Sequence, residues 1–524
     1  MIFIYLMCQK ILDMAIRQPV FKPYNQQQIL AIPPTLDELI PDSHPVRVVN
    51  EVINKLNIEP LLKAYHIKGS SSYHPQLLLK VLVYGYVTNI YSSRKLAAAC
   101  RESIYFMWLS AMSYPDHNTI NRFRGVRLKH ALRSVFEDVV KLLAAEGLLS
   151  IEEINTDGTK IEANANKYTF VWKKSIQTNK EKMKKQLTDI WQYAQQVASD
   201  EDKMPEPPDF KQIDSQKVKQ AVEQLNEKLA GRKDIDKKVK DKLKYVTKHY
   251  PQNIAKYEAQ EAILGERNSY SKSDTDATFM RMKEDHMKNG QLKPGYNVQI
   301  STSNQFIVNY TIHPNPTDTT TLKAHLEQHV SSFGKAPKKL TADAGYGSEE
   351  NYQLLEEQKV EAFVKYGLFD KQQNGKYSSK SPFGTDKLFY NQQQDCYICP
   401  MGQPMHSIGS YTKKTTTGFK QTLTRYQAKN CENCPIRAVC HKSKENRIIE
   451  VNENLNRLKQ NAFEKLNSEE GIQRRKKRCY DVEPVFGNIK QNHGFRRFML
   501  RGIEKVGIEW GLIAIAQNIR KKAA

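Results

Sequence analysis

The apolar positions of residues 35–146 follow a helical period. Segments such as HPQLLLKVLVYGYVTNI and SSRKLAAACRESIYFMWLSAM place apolar side chains on one face, and short turns such as residues 113–118 separate them. This pattern predicts a compact all-helical domain.

One segment of this region carries a polar, basic helix. SYPDHNTINRFR predicts a turn, a cap at Asn118 or Thr119, and then a helix. Asn121, Arg122 and Arg124 are expected on its exposed side. They fit either DNA contact, in a helix-turn-helix geometry, or an ordinary solvated face, and the sequence leaves both open.

The pattern changes to that of strands after Gly147. LLSIEEINTDGTKIEANA predicts a strand through Ile154 and Asp157 that ends in a turn at Asp-Gly, and GYNVQISTSNQFIVNYTIHP predicts a hairpin. The predicted elements that follow are a helix over 319–333, a strand ending at Asp343, a helix over 349–358, a strand over 360–364 and a helix-rich tail over 473–522. A mixed α/β fold is therefore predicted.

Two long segments interrupt the α/β pattern. Residues 173–265 are rich in Lys, Glu and Gln with helical spacing, broken by MPEPPDF, and predict a charged helical hairpin. This hairpin fits a solvated spacer or a DNA-embracing element equally well. Residues 371–472 predict a long, largely irregular insertion that contains cysteines.

The charge balance indicates a polyanionic partner. Lys and Arg number 80 against 57 Asp and Glu, a formal net charge of +23, which is what displacement of counterions from nucleic-acid phosphates requires. A basic but inert surface stays open as the alternative. The apolar start MIFIYLMCQK is too short to span a membrane and lacks a signal-peptide pattern, so it is interpreted as an extension upstream of Met14. A soluble, intracellular protein is expected.

Clustered cysteines indicate a structural metal. Cys396 and Cys399 form one Cys-x-x-Cys pair, Cys431 and Cys434 form another, and CH follows at 440–441. Four thiolates suit a tetrahedral Zn²⁺ in a zinc-ribbon-like insertion, although the gap between the pairs is longer than usual for such ribbons. Zinc binding and ordinary reduced thiols both stay open.

Acidic residues at predicted strand ends indicate a divalent-metal site. Asp157 in NTDGTK and Asp343 in TADAGYGS precede glycine-containing turns, where carboxylates of adjacent strands converge and bind Mg²⁺. Glu483 and Lys490 are seven residues apart, which places them on one helix face, and Pro484 predicts that this helix starts at about Glu483.

Three further acids near these strands fit either tuning of the metal site or capping of turns, and capping is the expected role. They are Asp274, Asp276 and Asp318.

Taken together, NTDGTK, TADAGYGS, VEPVFGNIK and RGIEKVGIEWGLIAIAQNIRK resemble the DDE transposases of bacterial insertion sequences. SYPDHNTINRFR is similar to the amino-terminal domain of such transposases, which is implicated in binding the ends of the element. The resemblance implies a ribonuclease H-like catalytic core in which Asp157, Asp343 and Glu483 hold two Mg²⁺ or Mn²⁺ ions. It also implies that Lys490 counters phosphate charge.

The family signature places a tyrosine and an arginine before the glutamate. The corresponding positions hold Lys476 and Cys479, although Arg478 and Tyr480 stand beside them. The glutamate and the lysine of the signature match this chain, and the roles of its arginine and tyrosine stay open.

The implied function is transposition: binding of terminal inverted repeats, metal-dependent cleavage of double-stranded DNA, and strand transfer into target DNA. A homodimer in the bacterial cytoplasm, associated with the nucleoid, is expected. The alternatives are a catalytically inactive or domesticated DNA-binding protein, and a metal-dependent nuclease without joining activity. The predicted division is an extension at 1–34, a helical DNA-binding domain at 35–146, core segments at 147–172, 266–370 and 473–522, a charged helical insertion at 173–265, and a Cys-containing insertion at 371–472.

Overall fold

A computed structural model describes residues 34–63, 65, 72–197, 214–229, 235–282, 291–375 and 383–524. The predicted extension, apart from residue 34, and the MPEPPDF segment lie outside the described residues. The chain divides into two units, 1–42 and 43–524. In the first, residues 34–42 form turns, and all elements below belong to the second.

The described residues between positions 45 and 145 fold mainly into helices. The helices are α1 Pro45–Asn54, α2 Glu59–Leu62, α3 Pro75–Val87, α4 Ser93–Glu102, α5 Ile104–Leu109, α6 His117–Arg122 and α7 Leu132–Ala145. Helix α3 is almost entirely apolar and buried, as its sequence PQLLLKVLVYGYV requires of a central helix.

A mixed sheet follows the helices and confirms the α/β class. Its strands are β1 Glu153–Glu162, β4 Thr278–Arg281, β5 Leu292–Ser303, β6 Phe306–His313, β7 Lys339–Ala342 and β8 Glu361–Val364. Strand β1 pairs antiparallel with β5 and parallel with β7, β7 pairs parallel with β8, and β4 and β6 pair with the two ends of β5. The hairpin turn lies at Asn304–Gln305, and both residues have positive φ.

Helices cover the sheet. Helix α11 spans Leu322–Phe333, α12 spans Glu349–Glu357, and the two carboxyl-terminal helices are α16 Glu469–Gly487 and α17 Ile503–Ala523. Between α12 and α16 the chain forms α13 Phe369–Gln373, α14 Arg437–Cys440 and α15 Glu453–Asn467. The sequence WGLIAIAQNI in α17 is buried all round, because this helix packs on β6 and on the amino-terminal helices α1, α3 and α7.

Two specific contacts position helix α17. A Cβ on Gly511 would lie 2.6 Å from Tyr310 Oη and 2.8 Å from Leu132 Cδ2, so glycine permits this close packing. Asp276 Oδ2 accepts a hydrogen bond at 2.9 Å from the backbone N of Ile503, the first residue of α17.

The charged insertion contains three helices in the described residues, not the predicted pair. They are α8 Lys173–Val197, α9 Ser215–Leu229 and α10 Lys237–Leu264. Their apolar faces share a small core around Trp191 and Leu225, because three amphipathic helices bury their stripes more completely than two. Two short strands, β2 Phe170–Trp172 and β3 Ser269–Ser271, pair where the insertion leaves and rejoins the sheet.

The second insertion is a sheet rather than the predicted irregular segment. Its antiparallel strands are β9 Phe389–Asn391, β10 Cys396–Ile398, β11 Pro404–Lys414, β12 Lys420–Ala428 and β13 Ile448–Val451. One face packs around Met405 and Tyr426. Within the described residues, no helix is both long and apolar enough to cross a membrane.

Glu509 is a fully buried acid on α17. Its carboxylate accepts hydrogen bonds from Met499 N at 3.0 Å and Leu500 N at 3.0 Å. Burial raises the pKa of Glu509 to about 7, although those two N–H groups and the Arg124 guanidinium act to lower it. The folded chain therefore holds a proton that an unfolded chain releases at lower pH.

Stability is expected to fall as the pH rises from 4.5 to about 7, because the unfolded chain loses the Glu509 proton while the folded chain keeps it. The titration of Glu509 should lower the free energy of unfolding by about 3 kcal/mol in total, and this change is complete above the folded-state pKa. Glu509→Gln removes this titration. The free energies of unfolding measured with urea at acidic and at alkaline pH should therefore differ less for this variant than for the wild type. Glu504→Gln, at an exposed position of the same helix, is the control. A wild-type pH dependence in Glu509→Gln would contradict the expectation.

Candidate active site

Two acidic residues lie side by side where β1 and β7 stop pairing. Thr156 of β1 pairs in parallel register with Ala342, the last residue of β7. Asp157 and Asp343 are the next residues of the two segments. Asp157 is buried, whereas Asp343 is half-buried and its Oδ1 accepts a hydrogen bond from Gly345 N at 2.8 Å. The register brings these two predicted residues together.

Strand β1 does not end at the predicted Asp157–Gly158 turn but continues to Glu162. Gly158 pairs with Gln299 of β5. A Cβ at Gly158 would lie 2.4 Å from Gln299 Nε2 and 2.5 Å from Asp318 Oδ1. The glycine is therefore explained by the close approach of these side chains and not by a turn.

Asp318 is a third acid at this place, and its side chain does not form the predicted cap. Its Oδ1 accepts hydrogen bonds from Asn297 Nδ2 at 2.8 Å and Gln299 Nε2 at 2.9 Å. A Cβ on Gly345 would lie 3.0 Å from Asp343 Oδ1 and 3.3 Å from Asp318 Oδ2. The two carboxylates therefore face the same glycine.

The charges of these acids affect the pKa of the buried phenol of Tyr346. Burial raises the pKa of Tyr346 well above its ordinary value, and the charges of Asp318, Asp157 and Asp343 raise it further. The phenol therefore stays protonated, and it donates a hydrogen bond to Gln299 Oε1. Gln299 in turn donates to Asp318, so one buried network orients this carboxylate.

Glu483 lies well inside helix α16. The prediction that Pro484 begins the helix is wrong, because α16 begins at Glu469 and contains the proline. Proline has no N–H, so the Tyr480 carbonyl loses its partner in the helix. Gln305 Nε2 replaces that donor at 2.9 Å. The helix continues through the proline and leaves the Glu483 side chain 58% exposed.

Arg478 connects Glu483 to the strand acids. Its Nη1 lies 3.2 Å from Asp157 Oδ2, and its Nη2 lies 4.0 Å from Glu483 Oε1. Burial acts to lower the pKa of Arg478, but Asp157 and Asp343 outweigh burial and raise it. The arginine left open beside the family signature therefore lies among the acids, whereas Tyr480 is exposed.

Asp481, two residues before Glu483, has a structural role. Its buried carboxylate accepts hydrogen bonds from Asn155 Nδ2 at 2.7 Å and Asn304 N at 3.1 Å, and also from Gln305 N. These contacts tie α16 to β1 and to the β5–β6 turn. They fix the helix that carries Glu483 against the strand that carries Asp157.

Lys490 is directed inward and does not lie on the exposed helix face where its spacing from Glu483 placed it. The residue is 5% exposed, and its Nζ donates a hydrogen bond to Lys160 O at 3.0 Å. The spacing argument assumed a continuous α-helix, but residues Asn488–Asn492 form a π-helical turn. The wider turn rotates Lys490 away from the Glu483 face and toward β1.

The predicted basic helix is only partly exposed. Asp116 caps α6, two residues before the expected cap, by accepting from Asn118 N and Thr119 N. The polar side chains exposed on α6 include the predicted Asn121 and Arg122.

Arg124 is buried, contrary to prediction. It lies in a π-helical turn, is 4% exposed, and donates from Nη1 to Tyr91 O at 2.7 Å. The π turn shifts the helical phase and directs Arg124 into the core beside Tyr86.

Only three of the four cysteines predicted to bind zinc line the same cavity. Cys399, Cys431 and Cys434 line one cavity, whereas the predicted ligand Cys396 lies outside it. All four are free thiols.

In the described part of the chain, no three Asp, Glu, His or Cys side chains stand close enough to hold a metal ion as placed. The acids nevertheless fit a divalent ion. Asp157 and Asp343 are adjacent oxygen donors, Glu483 is linked to them through Arg478, and Mg²⁺ commonly takes few protein ligands because water and phosphate oxygens complete its shell.

Two family models match the chain. The Transposase DDE domain matches residues 398–523, and the Transposase domain (DUF772) matches residues 34–125. The first match includes Glu483 and Arg478, and the second includes Arg122. Searches of curated proteins and of solved structures give no match. The two domains are consistent with a DDE transposase of insertion-sequence type, and the DDE domain implies a ribonuclease H-like core.

Proposed function

We propose that this chain, which carries two transposase domains, cleaves the ends of its own insertion sequence and joins them to target DNA. The observation that carries the proposal is the placement of Asp157 and Asp343 at adjacent strand positions, with Glu483 linked to them by Arg478. The sheet order, with β1 antiparallel to β5 and parallel to β7, supports a ribonuclease H-like core.

Asp157, Asp343 and Glu483 would hold two Mg²⁺ or Mn²⁺ ions. Bound there, the ions would lower the pKa of an attacking water or 3′-hydroxyl and stabilise the leaving oxygen. The chain supplies rigid positions for the acids: strand pairing fixes Asp157, and the Asp481 contacts fix the helix that carries Glu483. No covalent enzyme intermediate is required.

Arg478 is proposed to balance the acids before metal and DNA bind. Its guanidinium partly neutralises Asp157 and Glu483, which would otherwise repel each other and the phosphates of DNA. Arginine also matches phosphate oxygens with paired donors, so the same group would contact the scissile phosphate once the acids bind metal.

DNA is the proposed partner of the basic surface. A net charge of +23 favours phosphate contact along an extended duplex. Arg122 on the exposed side of α6 would contact the terminal inverted repeats. We further propose a homodimer on DNA, because two ends of one element must be held together for joining.

The contrast between Arg122 and Arg124 tests this interface. Arg122→Ala should weaken binding to duplexes carrying the terminal repeats and reduce the salt slope by about 1, because one phosphate contact is lost. Arg124→Ala should instead lower the free energy of unfolding by about 2 to 4 kcal/mol, because it leaves buried acceptors unpaired. Fluorescence anisotropy at several salt concentrations and urea unfolding measure the two effects. Wild-type affinity and salt slope in Arg122→Ala would remove α6 from the interface.

Cleavage of duplexes that carry the element ends tests the activity itself. The wild type should cut them only when Mg²⁺ or Mn²⁺ is added, and Glu483→Gln should not cut them under any condition. Cleavage by Glu483→Gln at the wild-type rate would overturn the proposed site.

A further inference from the structure

Four cysteine side chains line one small cavity at the end of the second sheet. Cys399 follows β10, Cys431 and Cys434 follow β12, and Cys440 ends the short helix Arg437–Cys440. The cavity volume is about 20 Å³, close to that of a single water-sized sphere. A space of this size suits a single ion.

Hydrogen-bond donors already point at three of the sulfur atoms. Gln403 N lies 3.3 Å from Cys399 Sγ, Arg447 N lies 3.4 Å from Cys431 Sγ, and Arg447 Nη1 lies 2.9 Å from Cys440 Sγ. N–H donors stabilise thiolates over thiols and orient the sulfur lone pairs. The buried guanidinium of Arg447 also supplies positive charge beside the thiols.

His441 lines the same cavity. Both of its ring nitrogens are shielded from solvent and have no hydrogen-bond partner among the residues that the structure describes. Unpaired buried polar groups are rare in native proteins. This imidazole is not needed as a ligand, because the four cysteines already provide a complete tetrahedral shell.

Cys396 does not belong to this group, because it lies within β10 and does not line the cavity. Tyr397 and Cys399 pack against the apolar core of the second sheet, and Cys396 instead lies with its Sγ 3.8 Å from Gln394 Oε1. The ligand set predicted from two Cys-x-x-Cys pairs is therefore replaced by a different one.

We infer that Cys399, Cys431, Cys434 and Cys440 bind one Zn²⁺ as thiolates. Four thiolates complete a tetrahedral shell and leave no open position, so the ion is structural. Binding releases the thiol protons to solvent. The four cysteines line the cavity, but their side chains are not yet close enough together to coordinate one ion. Binding of the ion would bring them together. It thereby joins the end of β10 to the connection between β12 and β13.

The test is the metal content of the purified full-length chain, measured by mass spectrometry together with the absorption spectrum of the cobalt-substituted protein. The wild type should hold one Zn²⁺ per chain and show the charge-transfer band of four thiolates with Co²⁺. Cys440→Ser should lose most of the bound zinc, whereas Cys396→Ser, the matched control, should keep it. His441→Ala should also keep it.

Two results would overturn the assignment. A wild-type chain that binds neither Zn²⁺ nor Co²⁺ when reduced and supplied with metal has no site here. Loss of zinc in Cys396→Ser with retention in Cys440→Ser would show that the ligand set is wrong. Because Cys440→Ser could unfold the sheet, the cobalt spectrum of the wild type counts the thiolates without any substitution.

Discussion

Asp343→Asn is expected to abolish metal-dependent strand cleavage while leaving the fold intact. The carboxylate lies next to Asp157 at the end of β7 and faces Asp318 across Gly345. An asparagine oxygen can still accept the hydrogen bond from Gly345 N, so the local turn should persist. The lost charge weakens divalent-metal binding, and the cleavage rate should fall by roughly 10²- to 10³-fold or more.

The control for this change is Asp370→Asn, which removes an exposed carboxylate paired with Lys365. It should cut like the wild type, because exposed ion pairs contribute little. Circular dichroism and urea unfolding should show all three proteins folded. Cleavage by Asp343→Asn within a few fold of the wild type would remove Asp343 from the catalytic site.

Asp481→Ala is expected to lower the free energy of unfolding by about 3 to 5 kcal/mol, because it strips a buried carboxylate from several donors. Those donors, Asn155 Nδ2, Asn304 N and Gln305 N, would lose their partner in the interior. Urea unfolding monitored by tryptophan fluorescence measures the loss. A change below about 1 kcal/mol would show that these contacts do not hold α16 in place.

Glu483→Gln is the matched counterpart, two residues along the same helix. Its side chain is exposed, so stability should change by less than about 0.5 kcal/mol, while cleavage is lost. The pair therefore separates an acid that holds the fold from an acid that acts on DNA. Retained stability in Asp481→Ala with lost stability in Glu483→Gln would reverse the two assignments.

The short β4 has too few residues for an alternating pattern and was not predicted, whereas β1, β5 and β6 were predictable because their apolar and polar positions alternate over several residues. The end of β1 was not, since Asp-Gly is a common turn signal and the true reason for Gly158 lies in Gln299 and Asp318, far along the chain. Asp318 looked like a turn cap for the same reason. Only the pairing of β1 with β5 brings its amide partners, Asn297 and Gln299, beside the other acids.

The remaining errors in the site predictions came from wrong assumptions about where helices begin and how regular they are. The sequence singled out Glu483 as a candidate, but Pro484 suggested a helix start because the donor that replaces its missing N–H comes from Gln305. Lys490 and Arg124 were expected outside because a regular helix was assumed, and each lies in a π turn that rotates it inward. These turns depend on tertiary packing and leave no local sequence signal.

The most direct test of transposition is incubation of the protein with a supercoiled plasmid that carries the gene with its native flanks, in Mg²⁺ or Mn²⁺. The account predicts nicks or breaks at the flanking repeats and joined products with target DNA, both absent with Asp343→Asn. Cleavage without joined products would indicate a nuclease that lacks joining activity. A wild-type protein that binds the flanks but leaves every strand intact in both metals would contradict the account and indicate a DNA-binding protein without catalysis.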